Sequence, residues 1–184
     1  MRVVSGARSH LPEGVYPRLT NYRYQVFVER LGWQLPVVGG AEVDQFDRPD
    51  SVYVVAEEDD GAISGCARLL PTDGPYLLAD VFPQLLNGMP APRDPTVWEL
   101  SRFSAVNLDR RSATPLAQFP LSAAAALMSE AMACAAAHGA HRLVTVTVLA
   151  MERLIRRLGI QSHRMGPPCV VNGEPIYAGW IELH

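Results

Sequence analysis

The chain has 184 residues, 48% of them hydrophobic, which is enough apolar mass for a buried core and a length that fits a single domain, residues 1–184. A formal net charge of -3 with no long basic block removes the electrostatic footprint of a nucleic-acid binder. All 16 basic residues are arginine, which excludes a phosphate-loop lysine, a Schiff-base lysine and a Ser-Lys dyad. Cys66, Cys134 and Cys169 are odd in number and widely spaced, against a disulfide framework or a zinc knuckle. Residues 1–10 lack a charged-then-apolar leader, and the most apolar stretch, 121–137, is broken by Ser122, Ser129 and Glu130. The expectation is a cytoplasmic protein with no membrane span.

In chain order, Leu19, Tyr22, Val26 and Phe27 recur at helical spacing over 17–31, and Gly32 follows as a stop. Residues 33–50 have no sustained period, carry Glu42, Asp44, Asp47 and Asp50, and read as a long acidic loop. Residues 51–57 and 63–70 predict a hairpin about Asp59-Asp60-Gly61. A proline-rich stretch, 71–95, precedes a strand at 97–106. An alanine-rich helix over 120–138, a Val/Thr strand over 142–149, a helix over 151–158 and a final strand over 175–183 complete the chain. The order predicts an α/β fold, a mixed sheet with helices on both faces.

Three features point to chemistry. Arg68 and Arg102 sit in hydrophobic strands, where a charge must be paired or must bind an anion. Arg23 lies between two tyrosines in the first helix, where it either snorkels to water or joins them. Glu99, flanked by Trp98 and Leu100, is an ion-pair partner or a general base or acid. Asp44 and Asp47 are solvated turn residues or ligands of a cation, and Trp33 is a core lid or an aromatic face for that cation.

Arg23-Tyr24-Gln25-Val26-Phe27, Gly32-Trp33, Asp44-Gln45-Phe46-Asp47, Ala67-Arg68-Leu69-Leu70-Pro71-Thr72 and Glu99-Leu100-Ser101-Arg102-Phe103, in this order, resemble the acyl-homoserine-lactone synthases. The resemblance implies an N-acetyltransferase-like sheet, mostly antiparallel, and an acyltransferase that builds a quorum-sensing signal. It implies two substrates, S-adenosylmethionine and an acyl chain on acyl carrier protein, and no cofactor. The family's functional positions fall on Arg23, Phe27, Trp33, Asp44, Asp47, Arg68, Glu99 and Arg102, with Ser101 and Phe103 beside them. On this reading the aspartates orient the cationic end of S-adenosylmethionine, Trp33 and Phe27 cover its sulfonium or adenine, Arg102 or Arg23 forks onto its carboxylate, and Glu99 takes the ammonium proton. In a regular strand Glu99 and Arg102 face opposite sides, so their joint use requires a bulge or bend near Ser101.

The acyl chain is expected among Leu121, Met128, Thr145, Val146, Thr147, Met151 and Leu154. Thr145 and Thr147 share one strand face, and in the family a threonine near here goes with 3-oxo acyl chains. Arg153, Arg156 and Arg157 fall on one helix side, opposite Leu154 and Leu158, and offer a basic surface to an acidic carrier protein. A coenzyme-A-dependent N-acetyltransferase of a small amine is the alternative. Against it, residues 89–138 contain no glycine to open a pyrophosphate-binding loop. A non-catalytic sensor is a third reading.

Overall fold

The computed structural model describes residues 1–108 and 121–183. Its strands are β1 (Arg2–Ala7), β2 (Val37–Val38), β3 (Ala41–Glu42), β4 (Val52–Glu57), β5 (Ile63–Pro71), β6 (Val97–Ser104), β7 (Arg142–Val148), β8 (Ser162–Arg164), β9 (Cys169–Val171) and β10 (Glu174–Glu182). Its α-helices are α1 (Val15–Arg23), α2 (Leu77–Asp80), α3 (Leu121–Ala137) and α4 (Leu149–Arg157). The main sheet runs β1-β4-β5-β6-β7-β10-β8, with β9 also on β10, and β2-β3 is a separate ribbon. β6 and β7 are parallel, which requires a long connection, and α3 lies within it. β1 with β4, and β10 with β7, β8 and β9, are antiparallel, giving the mixed, mostly antiparallel sheet expected from the sequence.

The predicted hairpin, the strand at 97, the Val/Thr strand and the last strand appear within a residue or two of their expected ends. Pro120, the expected first residue of the alanine-rich helix, lies outside the described residues. Four features were not read: β1, α2, the short β8 and β9, and the ribbon inside the acidic loop. That ribbon turns on Gly39 and Gly40, whose φ of 58° and 76° suit a two-residue type I′ turn that glycine makes without strain.

The chain divides into two compact units, Met1–Arg68 with Arg102–Ala131, and Leu69–Ser101 with Met132–His184. In the first, the apolar stripe of α1 and its extension (Leu19, Tyr22, Val26, Phe27) packs on Tyr53, Val55, Ile63 and Cys66. Gly65 faces Ala56 and not its neighbour Val55, which packs with the α1 stripe. A Cβ at Gly65 would lie 3.0 Å from the Ser104 carbonyl oxygen, 3.2 Å from Leu127 of α3 and 3.4 Å from Ala56. Helices therefore cover both faces of this unit.

In the second unit, Tyr76, Leu78, Leu85 and Leu86 pack on Val144 and Ala178, with Val146 and Trp180 partly buried beside them. Thr145 opposes Gly179 and Thr147 opposes Tyr177, so the threonines do share the other face. Arg164, which opposes Gly179 and stacks on Tyr177, is held there by Glu152 of α4 at 2.6 and 2.9 Å. No helix among the described residues is long and apolar enough to cross a membrane.

Gly65→Ala should cost about 1–3 kcal/mol of unfolding free energy in urea, because backbone and a packed leucine oppose the added methyl. An unchanged midpoint would mean that α3 does not pack closely at this point.

Candidate active site

The first helix changes winding at its functional end. Residues 24–30 are wound as a π-helix, with the Leu31 amide reaching the Val26 carbonyl five residues back at 3.0 Å. It is capped by Gly32 at φ 70°: the Gly32 amide donates to Val28 four residues back, the bond of an αL capping motif, and the Trp33 amide donates to Phe27 six residues back. That motif brings the residue after the glycine back onto the last turn. Trp33 accordingly stacks on Phe27, ring centroids 5.0 Å apart at 22°, with Phe27 buried and Trp33 39% exposed.

Asp44 and Asp47 fold the acidic loop on itself. The Asp47 carboxylate accepts the Asp44 amide at 2.8 Å, the Asp44 carboxylate accepts the Phe46 amide at 2.8 Å, and the Asp47 amide reaches the Asp44 carbonyl at 3.1 Å. The Asp-x-x-Asp spacing is what this reciprocal turn needs. Both carboxylates then meet arginines. Arg23 forks onto Asp47 at 2.7 and 2.9 Å, and Arg68 forks onto Asp44 at 2.6 and 3.2 Å while also lying 3.1 Å from Asp47.

Glu42 closes the set. It accepts Nε of Arg23 at 2.6 Å, and Nε and Nη2 of Arg102 at 3.2 and 2.9 Å, while Arg102 Nη2 also reaches Asp44 at 2.7 Å. Three arginines and three carboxylates thus form one buried, charge-balanced network in the first unit. Tyr53 donates to Asp47 at 3.0 Å, and the Arg68 and Arg102 guanidiniums lie 5.8 Å and 5.7 Å from the Phe46 and Phe27 ring centroids. The structure therefore brings together Arg23, Phe27, Trp33, Asp44, Asp47, Arg68 and Arg102, as the motifs suggested. Glu42 was missed because it was counted as one carboxylate of a loop. The Gly-Gly pair before it was the available hairpin signal.

The electrostatics follow from burial and pairing. Burial by itself would raise the carboxylate pKa values of Asp47 and Glu42. Arg23 and Arg68 beside Asp47, and Arg102 and Arg23 beside Glu42, reverse this and hold both below the usual range. Burial would conversely lower Arg23 and Arg68, but Asp47 and Glu42 raise the first, and Asp44 with Asp47 raises the second. Burial, with the Asp47 charge next, pushes the Tyr53 hydroxyl up.

The bend expected near Ser101 is found one residue on: Arg102 has φ 52° inside β6. Ser101 is buried and Phe103 half-buried. Glu99, in the second unit, is fully buried, and its two oxygens accept the amides of Leu78 at 2.7 Å and Leu77 at 2.9 Å. It ties the 72–96 loop to the sheet, a contact that sequence did not reveal. Of the expected acyl residues, Met128 and Thr145 are buried, Val146, Thr147, Met151 and Leu154 half-buried, and Leu121 exposed. Leu121 and Met128 belong to the first unit, and the other five to the second. Arg153, Arg156 and Arg157 are all exposed on α4; Arg156 lies 4.0 Å from Glu152, whereas Arg142 and Arg164 are paired with Glu182 and Glu152.

Known structures place the fold first. A Lactobacillus plantarum protein described as an N-acetyltransferase aligns over 100% of this chain and 98% of its own, at a TM-score of 0.60 and 17% identity. At that identity the likeness defines the fold alone, an N-acetyltransferase-like sheet. The autoinducer synthase family model matches residues 12–184. Acyl-homoserine-lactone synthases of Acinetobacter nosocomialis and Ralstonia solanacearum are 45% and 49% identical, covering all of this chain and 100% and 89% of theirs. The chain belongs to this family, the acyl-homoserine-lactone synthases, and is an acyltransferase.

Two solved relatives carry ligands. TofI, in a ternary complex with an inhibitor and MTA, has a TM-score of 0.85 at 43% identity over 100% of this chain and 92% of its own. BjaI, a CoA-dependent acyl-homoserine-lactone synthase solved with SAM and isopentyl-CoA, has a TM-score of 0.84 at 27% identity over 99% and 82%.

Glu42→Gln should lower unfolding free energy at neutral pH by about 3–5 kcal/mol, because it leaves two buried arginines under-compensated. Carboxylates with lowered folded pKa values stabilise above their unfolded values and lose that contribution on acidification. The gap between wild type and variant should therefore close as pH falls below about 4. Denaturant titrations from pH 7 to 3 check this, and a gap independent of pH would contradict it.

Proposed function

We propose that the chain joins an acyl group from acyl carrier protein to S-adenosylmethionine and closes the product to an N-acyl-L-homoserine lactone, releasing methylthioadenosine. The observation that carries this reading is the arginine–carboxylate network beside the Phe27–Trp33 stack. S-adenosylmethionine offers an ammonium, a carboxylate, a sulfonium and an adenine, and the network with its aromatic neighbours has a complement for each. The MTA held by TofI and the SAM held by BjaI support the same substrate here.

Arg102 is the better contact for the substrate carboxylate, through the one nitrogen that it keeps outside the network. Arg23 commits all three guanidinium nitrogens to Glu42 and Asp47, whereas Arg102 uses Nε and Nη2, which leaves Nη1 outside the network. Asp44, with 5% of its side chain exposed against 0% for Asp47, is the carboxylate nearer to a ligand ammonium. Glu99, directly or through water, takes a proton from that ammonium, and the freed nitrogen attacks the thioester carbonyl and expels the carrier thiol. The carboxylate then attacks the γ-carbon, and the C–S bond breaks with its electron pair returning to sulfur. The steps balance without a metal or redox group.

Glu99→Gln should lower kcat at least about tenfold while S-adenosylmethionine affinity stays within about threefold, because proton acceptance is lost, volume is kept and only one of the two amide contacts is given up. Unchanged turnover would reduce Glu99 to an anchor of the Leu77 and Leu78 amides.

For the donor, acyl carrier protein is favoured by the exposed arginines of α4. Arg153 and Arg157 have no carboxylate within salt-bridge distance among the described residues, so their charge is available to an acidic partner. The CoA dependence of BjaI keeps acyl-coenzyme A as the second reading. Most of the stretch just before α3, where a pyrophosphate loop would be sought, lies outside the described residues. Both substrates are cytoplasmic metabolites, and we place the enzyme there.

Incubation with S-adenosylmethionine and either acyl carrier protein thioester or acyl-coenzyme A, read by mass, tests the reading. Lactone and methylthioadenosine should form with the carrier donor, and absence of lactone with both would overturn the function. Reversing Arg153 and Arg157 to glutamate should raise the KM for the carrier donor about tenfold or more and leave a small thioester analogue unaffected. Equal losses with both donors would make the surface structural.

A further inference from the structure

Arg102 is an anomaly of backbone as well as of burial. The other non-glycine residues with positive φ among those described are Asn87 and Asn172, the residue type that best tolerates it, whereas arginine does not. Such a conformation persists only where its surroundings over-determine it. Two contacts on the main chain do so. The Cys66 thiol on β5, 1% exposed, donates to the Arg102 carbonyl at 3.1 Å. The Tyr22 hydroxyl on α1, in a residue 3% exposed, donates to the Val106 carbonyl at 2.8 Å, accepts the Val106 amide at 3.1 Å and lies 3.1 Å from the Ser104 hydroxyl. Tyr22 thereby fixes the chain just beyond Arg102, and its neighbour Arg23 shares Glu42 with the Arg102 guanidinium. Burial pushes the Cys66 thiol up to about 12, so it remains a protonated donor at neutral pH.

We propose that Tyr22 and Cys66 are positioning residues for Arg102, holding from two elements the left-handed backbone that aims its guanidinium. Neither touches a substrate. Their effect on catalysis rests on the reading of Arg102 as the carboxylate contact, but their effect on Arg102 itself does not.

The test uses nitrogen-labelled enzyme, in which the Arg102 Nε–H resonance is assigned by its loss in Arg102→Lys, together with steady-state kinetics in S-adenosylmethionine. Cys66→Ala and Tyr22→Phe should shift that resonance and speed its solvent exchange about tenfold or more. Both should raise the KM for S-adenosylmethionine about tenfold, with kcat within about threefold. Cys66→Ser, which keeps a donor, should restore resonance and KM. A wild-type resonance in Cys66→Ala, or a serine variant as impaired as the alanine one, overturns the proposal by reducing the thiol to packing. The Cys66 pair decides the matter if Tyr22→Phe does not fold. A shifted resonance with unchanged KM sinks the carboxylate-contact reading and leaves the positioning role standing.

Discussion

Six charges buried in one cluster are the constraint on which the first unit depends. Removing three guanidiniums and three carboxylates from water is costly, and only near-complete mutual hydrogen bonding offsets the cost. That requirement explains several otherwise unrelated features. The ribbon turning on Gly39 and Gly40 delivers Glu42, the Asp44–Asp47 turn delivers two carboxylates from four residues, and the left-handed residue in β6 delivers Arg102. α1 contributes Arg23 from a fully buried position. Removing any one member leaves its partners charged and dry, so stability and site geometry are linked in the same atoms.

The same cluster explains why the site was partly legible in sequence. Arginine inside an apolar strand is costly, so Arg68 and Arg102 announced partners, and the Asp-x-x-Asp spacing had a local reason in its reciprocal turn. The fold was legible where one period ran unbroken, as in the Val/Thr strand of β7. Glu42 was hidden because its importance comes from a pairing 60 residues away, with Arg102. The amides that Glu99 accepts were hidden for a like reason, since they open α2, a four-residue helix too short to show a period within the proline-rich stretch. β8 and β9, three residues each, are too short to show alternation and exist because β10 offers them an edge.

Catalysis of this kind rests on holding a flexible zwitterion with its amine, carboxylate and sulfonium in fixed places. A preorganised charged surface achieves this without reorganising during the reaction. In the first unit that surface presents both signs of charge, so it can meet the cationic and the anionic groups of such a ligand. The residues proposed for the acyl donor differ in character: Thr145, Thr147, Val146, Met151 and Leu154 lie in the second unit, and the arginines of α4 are exposed. Family membership thus fixes the class of reaction, and the proposal of carrier protein over coenzyme A rests on the exposed arginines of α4.

We propose that the buried network recognises S-adenosylmethionine through its charges, the carboxylate above all. Calorimetric titration of the wild-type enzyme with S-adenosylmethionine and with its decarboxylated analogue tests this most directly. The analogue should bind at least about tenfold more weakly, the worth of one charge-assisted contact. Equal affinity for the two ligands would contradict it.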